Sequence, residues 1–455
     1  MKRAISVLLT ISVFLGSACF ADGIPAKPEL IGQSAILIDA ATGKILFEKN
    51  SHDKHFPAST TKIMTAILTL ESLQLTDKLV IDAETPFTEG SRIYLLEGEE
   101  VTVEEVMYGM MLESANDAAV AFAKNISGSV EEFAKLMNRK AAELGALDTN
   151  FVNPNGLHDD AHVSTAYDLA MIARYAMKNE DFRHYVTTYQ YTMEATNLQD
   201  TRYLYNTNRM LYDNQHKVTV NGELRVCKYE GVTGIKTGYT GRAGGCLVAG
   251  AKRGATELIA VTLASTDMGR FQDCIAMLDY GFANYKTVNA LESGKNLGTI
   301  SVSRGSVKRV KVILPEGVDA TLPAEASENV LRTEVELYDS VEAPVMSGQK
   351  AGNVKLYAGD ELIGEYDAVT AEQVDRGGWM SIVGIADSTA EKIKNIALIV
   401  AAALLLLLII YIMVKRHQLK VKRIRRQQRE EKYRLLKEQE KARWEQEYWN
   451  RRNYR

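Results

Sequence analysis

Cysteine is scarce in this chain of 455 residues: there are four, and Cys19 lies in a leader-like stretch at the N-terminus. Without it Cys227, Cys246 and Cys274 remain, an odd number that gives no sign of a disulfide framework. Cys246 and Cys274 sit in apolar patterns and read as buried thiols. Histidine is also sparse, and neither a CxxC nor a His-rich spacing occurs, so neither a metal nor a cofactor is expected. A large overall charge is missing too, the formal net being −4. That value hides a segregation. Lys415 to Arg455 holds about 16 Lys and Arg against about 6 Asp and Glu, roughly +10, which leaves about −14 elsewhere. The acidic and basic parts are therefore expected to face different surroundings, and no nucleic-acid partner is expected.

Two long apolar runs are present. Lys2 and Arg3 precede an apolar run from Ala4 to Leu15 and then Gly16, Ser17 and Ala18, the layout of a signal peptide over 1–21, cleaved after Ala18 or Ala21. Cys19 opens a lipoprotein alternative, against which Gly16 stands where an apolar residue is wanted. Ile396 to Val414 is long enough to span a bilayer. Lys415, Arg416, Lys420, Lys422, Arg423, Arg425 and Arg426 follow it, which puts the tail in the cytoplasm and everything before Ile396 outside.

Ser34 to Glu48 reads as a β-hairpin about Gly43. Pro57 is placed to open a helix that carries Ile63, Ala66, Ile67 and Leu70 at helical spacing. Ser59 and Lys62, three apart, share a face at its start. A lysine desolvated toward neutrality takes a serine proton, so the pair has the makings of an activated nucleophile. Ser-x-x-Lys is a weak pattern by itself. It recurs at Ser51–Lys54 and Ser347–Lys350, but there without an apolar helix behind it. Thr102 and Glu105 form a capping box that opens a helix. Ser114 and Asn116 lie on the tight turn after it, as helix caps or as groups facing a cleft. His162, in a polar loop, reads as a surface residue rather than a catalytic one. Lys236-Thr237-Gly238 begins a set of antiparallel strands, where Gly238 would admit a ligand backbone and Lys236 and Thr237 would hold an anion. A strand pair feeding a buried helix gives an α+β or α/β domain. From about Leu291 short alternating segments form an all-β module, an antiparallel sandwich or small barrel. Ala386 to Lys394 reads as a polar linker. The tail reads as a solvated helix along an anionic membrane surface, or as a partner-binding helix or coiled coil.

Ser59-Thr60-Thr61-Lys62, Ser114-Ala115-Asn116 and Lys236-Thr237-Gly238, in this order, make a specific trio. With it, and with Asn153-Pro154-Asn155-Gly156-Leu157, the chain resembles the low-molecular-mass penicillin-binding proteins from Ile31 to Val414. It is most similar to the D-alanyl-D-alanine carboxypeptidases of peptidase family S11. The resemblance implies an α+β fold: a serine β-lactamase/DD-peptidase-like domain (antiparallel sheet with helical subdomain) over 30–285. After it the sequence itself sets a small all-β domain over 291–385, one transmembrane helix over 396–414 and a basic tail over 415–455. It implies that Ser59 attacks the bond between two D-alanines of a peptidoglycan stem peptide, with Lys62 as base and Ser114 as proton relay. Asn116 would hold the substrate amide. Lys236, Thr237 and Arg270 would hold the terminal carboxylate, with Gly238 and Tyr239 completing the binding strand. The N–H groups of Ser59 and Tyr239 would form the oxyanion hole, and β-lactams would acylate Ser59. Asn155 stands where many relatives carry His and receives no role. The spanning anchor and the cytoplasmic tail also depart from the family pattern. A β-lactamase would share the trio, yet no Glu-x-x-Leu-Asn stands between Asn116 and Lys236. A membrane-anchored sensor or scaffold that signals through the tail is the reading of a different class.

Overall fold

The computed structural model describes residues 27–378, 380–381 and 385–452. The expected signal peptide, its expected cleavage points and Cys19 lie outside the described residues. The chain divides into two compact units, one built mainly before residue 294 and one mainly after it.

The first unit is organised around a five-stranded antiparallel sheet. Its strands run in the order Ile45–Lys49, Ser34–Asp39, Thr256–Ser265, Gly244–Arg253, Val232–Thr240. Both faces are covered, so the central strands read as apolar runs rather than as an alternation. Ile36, Ile38, Val248, Ile259 and Val261 face a helical cluster. Ala35, Leu37, Leu247, Ala249 and Ala260 face a second core with Phe271, Cys274 and Leu278. The helices are α1 (Lys62–Ser72), α2 (Val103–Leu112), α3 (Asn116–Ser127), α4 (Val130–Glu143), α5 (Ala166–Ala176), α6 (Glu180–Thr187) and α7 (Gly269–Asn284). Helices α1 to α6 contribute to the first core and α7 to the second. The predicted hairpin and the predicted capping box are both present: Glu105 N donates to Thr102 Oγ1, and Thr102 N to Glu105 Oε2. Cys227, Cys246 and Cys274 are buried free thiols.

From Tyr285 to Thr370 the chain is built mainly of β-strands. Six strands pair in the order Leu331–Leu337, Lys350–Ala358, Glu361–Thr370, Arg309–Ile313, Asn296–Ser303, Ser340–Glu342. Tyr285–Leu291 pairs separately with Val318–Pro323. One pairing, Ser301–Ser303 with Ser340–Glu342, is parallel, where an antiparallel assembly was expected.

One expectation for the C-terminal region needs correction. Ala386 to Lys394 is not a separate linker: Asp387–Arg452 is one helix, α8, which also takes in the tail expected to be helical. The reason is compositional. From Ile385 onward the sequence has neither glycine nor proline and is rich in Ala, Leu, Lys, Arg, Gln and Glu, all good helix formers. Ion pairs Arg426–Glu430 and Arg434–Glu438 add support at i,i+4 spacing. Within α8, Ile396 to Val414 is long and apolar enough to cross a membrane, about 28 Å at the helical rise.

Candidate active site

Ser59 stands on a 3-10 turn, Ala58–Thr61, directly before α1. Pro57 caps this turn from outside rather than occupying its first position. In a 3-10 turn residues i and i+3 eclipse, which stacks Ser59 over Lys62. Ala58 takes φ +48°, an uncommon conformation for a residue with a Cβ. The turn is gripped on two sides. A Cβ on Gly156 would lie 1.9 Å from Ala58 O, and one on Gly238 would lie 3.0 Å from Ser59 N. The backbone that Gly238 admits is thus the chain's own Pro57–Ser59, not only a ligand's.

Lys62 is fully buried. Its Nζ lies 2.6 Å from Asn116 Oδ1, 2.6 Å from Asn155 O and 3.1 Å from Ser59 Oγ. Burial, and next the charge of Lys236, hold its ammonium well below the usual lysine range, against a pull from Asp117. A neutral amine has two N–H groups and one lone pair. The two carbonyl oxygens can only accept, so they take the N–H groups and leave the lone pair for the Ser59 hydroxyl. Asn155 contributes its backbone oxygen; its side chain accepts from Leu157 N.

Ser114 takes φ +59° between α2 and α3 and is nearly buried. Two residues on, Asn116 is held by its own Nδ2 donating to Glu89 O at 2.7 Å, which turns Oδ1 toward Lys62. Asp117 is buried and accepts from Ile93 N and Leu95 N, tying down the loop that carries Glu89.

The other wall is the edge strand Val232–Thr240. Lys236 is buried there, donating to Thr237 O at 3.2 Å. Burial first and Arg270 second pull it down to about 7, with Glu113 opposing. Thr237 Oγ1 meets Thr207 Oγ1 at 2.6 Å. Arg270, in the first turn of α7, donates to Gly238 O at 2.7 Å and pairs with Asp267 at 2.8 Å. Tyr239 is 59% exposed beside Gly238. Direct bonds therefore join Ser59, Lys62 and Asn116, while Gly238 links the nucleophile turn to Lys236, Thr237 and Arg270.

His162 corrects the surface reading. It is 2% exposed, and its Nε2 lies 2.8 Å from Thr61 Oγ1. Val152 N donates to Nδ1, so the proton sits on Nε2 and is donated to Thr61. Burial lowers this imidazole to about 4, Asp159 opposing and Lys62 adding to the drop. A polar loop sequence hides this, because the loop folds back against α1. Thr207 and Glu113 were also missed; neither belongs to a motif, and only the tertiary fold brings them to the edge strand.

Comparison with known proteins adds an independent line. A model of the D-alanyl-D-alanine carboxypeptidase family matches residues 22–267. One of the penicillin-binding protein 5 C-terminal domain matches 285–376. D-alanyl-D-alanine carboxypeptidase DacF of Bacillus subtilis is 36% identical over 396 residues, 84% of this chain and 97% of that protein. DacD of Escherichia coli is 31% identical over 84% of this chain and 97% of its own length. The crystal structure of penicillin-binding protein 5 from Haemophilus influenzae superimposes with a TM-score of 0.63 at 28% identity, covering 77% of this chain and 99% of that one.

Proposed function

The chain belongs to the D-alanyl-D-alanine carboxypeptidase family, and from that membership we propose how its own residues carry the serine acyl-enzyme chemistry general to the family. Ser59 gives its proton to neutral Lys62 and attacks the carbonyl between the two terminal D-alanines of a peptidoglycan stem peptide. The N–H groups of Ser59 and Tyr239 receive the oxyanion, where charge develops in the transition state. Ser114 relays the proton to the leaving amine. D-alanine departs, and water releases the shortened peptide from Ser59. Asn116 holds the substrate amide while Lys236, Thr237 and Arg270 receive the terminal carboxylate along the strand at Gly238. A β-lactam acylates Ser59 by the same route.

The observation that carries this reading is the buried Lys62 Nζ at 3.1 Å from Ser59 Oγ, with two carbonyl oxygens at 2.6 Å that can take the N–H groups of a neutral amine. The catalytic domain is assigned to 30–285 and the β-rich domain to 291–385. Ile396 to Val414 anchors the chain, with the catalytic domain outside and the basic tail in the cytoplasm, as the Lys and Arg after the apolar run favour. The test is D-alanine release from a soluble peptide ending in D-Ala-D-Ala, with penicillin labelling run in parallel, on the detergent-solubilised chain and its Ser59→Ala variant. Both signals are expected to vanish in the variant while its thermal melt stays in place; labelling that persists removes Ser59 from the mechanism.

A further inference from the structure

The hairpin Gln190–Met193 and Arg202–Tyr205 sorts its aromatic residues by face. On the inner face Leu204 and Met193 are buried, and Tyr191 stacks on Tyr108 with ring centroids 3.8 Å apart. On the outer face Tyr203 and Tyr205, two residues apart, are 66% and 47% exposed. Tyr189, 42% exposed, lies 6.0 Å from the Tyr205 ring and 4.6 Å from that of Tyr212. Tyr191 packs the core, whereas Tyr189, Tyr203 and Tyr205 are exposed with half-buried Tyr212 beside them, and a contiguous exposed aromatic surface marks a contact site.

This row adjoins the cleft. Tyr205 N donates to Glu113 Oε1 at 2.6 Å, and Glu113 directly precedes Ser114. Two residues beyond Tyr205, a reach of about 7 Å, Thr207 touches Thr237. The tyrosines thus continue the binding surface from Thr237 outward. Their flat apolar faces, with hydroxyls at the rim, match the C–H face of a pyranose ring whose hydroxyl and N-acetyl groups lie at its edge. The stem peptide on which the family acts hangs from just such a sugar polymer.

We propose that Tyr189, Tyr203, Tyr205 and Tyr212 form a glycan-binding face that holds a peptidoglycan sugar strand beside the catalytic cleft; this rests on the carboxypeptidase reading above. The probes are glycan strands stripped of peptide, uncrosslinked glycan that still carries its stems, and a soluble peptide ending in D-Ala-D-Ala. The full chain in detergent is compared with its Tyr203→Ala/Tyr205→Ala variant, and Ser59→Ala versions of both serve for binding. Retention on stripped glycan, and kcat/KM on stem-bearing glycan, are each expected to fall about tenfold. Release from the soluble peptide is expected to change less than about twofold, since neither ring contacts the Ser59–Lys62 pair. Tyr203→Trp/Tyr205→Trp is expected to restore both glycan signals. Unchanged retention, or an equal loss on soluble peptide and glycan, overturns the proposal. If the unmutated chain releases no D-alanine from either substrate, the carboxypeptidase reading has failed, and retention on stripped glycan still judges the tyrosine face.

Discussion

Lys62 and Lys236 lie on opposite walls of one cleft, both buried, and their nitrogens meet different surroundings. Lys62, at the start of α1, is ringed by three neutral oxygens, two of them at 2.6 Å. Lys236, on the edge strand, has the Thr237 carbonyl at 3.2 Å and the cation Arg270 close enough to lower it. Burial disfavours the charge on both. The Lys62 pocket is complete without an anion, so losing the proton leaves two N–H bonds and an aimed lone pair. Lys236 has one carbonyl contact and a neighbouring cation, and on the proposed mechanism an incoming carboxylate would restore its charge. Burial alone therefore does not assign a role to a lysine; the count and kind of partner atoms does.

Replacing each lysine by arginine separates the two most sharply. Arginine keeps the charge but cannot be deprotonated at working pH. Lys62→Arg is expected to cut D-alanine release by about 10³-fold or more, as loss of a general base does. Lys236→Arg is expected to raise KM by no more than about tenfold, because the anion still meets a cation. It should also remove any rise in KM above about pH 7 that comes from Lys236 losing its proton. Initial rates from pH 5 to 10, with a thermal melt for each variant, make the check. Similar losses in both would erase the distinction.

A third buried base, His162, belongs to the Lys62 side alone, through Thr61. Its imidazole is lowered from 6.5 to about 4, so below pH 6.5 the unfolded chain takes up a proton that the folded chain refuses. Stability is therefore lost as pH falls from about 6.5 toward 4, by roughly 3 kcal/mol at 1.4 per pK unit. Urea melts at pH 7 and 4.5 measure this. The difference should shrink by a corresponding amount in His162→Gln, and an equal difference in both proteins counts against the assignment.

Much of this was legible in the chain. The trio of motifs stood out because each occurs with a helix or strand pattern around it, and the apolar runs at Ser34–Asp39 and Leu258–Leu263 announced the sheet. What was hidden depends on long-range packing. His162 is followed by Ser164-Thr165, an ordinary helix cap, and its burial comes from contacts with Thr61, 101 residues away. The polar composition of Ala386–Lys394 suggests a linker ahead of the apolar run, whereas the backbone follows the lack of glycine and proline and stays helical from Asp387 through Arg452. The tyrosine row is invisible as a row until Tyr189 and Tyr212 meet in space.

The smallest expected effect isolates the edge-strand wall. Thr207 Oγ1 and Thr237 Oγ1 lie 2.6 Å apart, and Thr237 is nearly buried, so this contact sets which way the Thr237 hydroxyl points. Thr207→Val keeps the shape and removes the hydroxyl. A neutral hydrogen bond contributes about 1 kcal/mol, which corresponds to a rise in KM of roughly fivefold. Because Thr207 makes no bond to Ser59, Lys62 or Asn116, kcat should hold. Steady-state kinetics on the soluble peptide provide the test. A fall in kcat with KM unchanged would place Thr237 in the chemistry of the acyl transfer, and the division between a base wall and an anion wall would have to be redrawn.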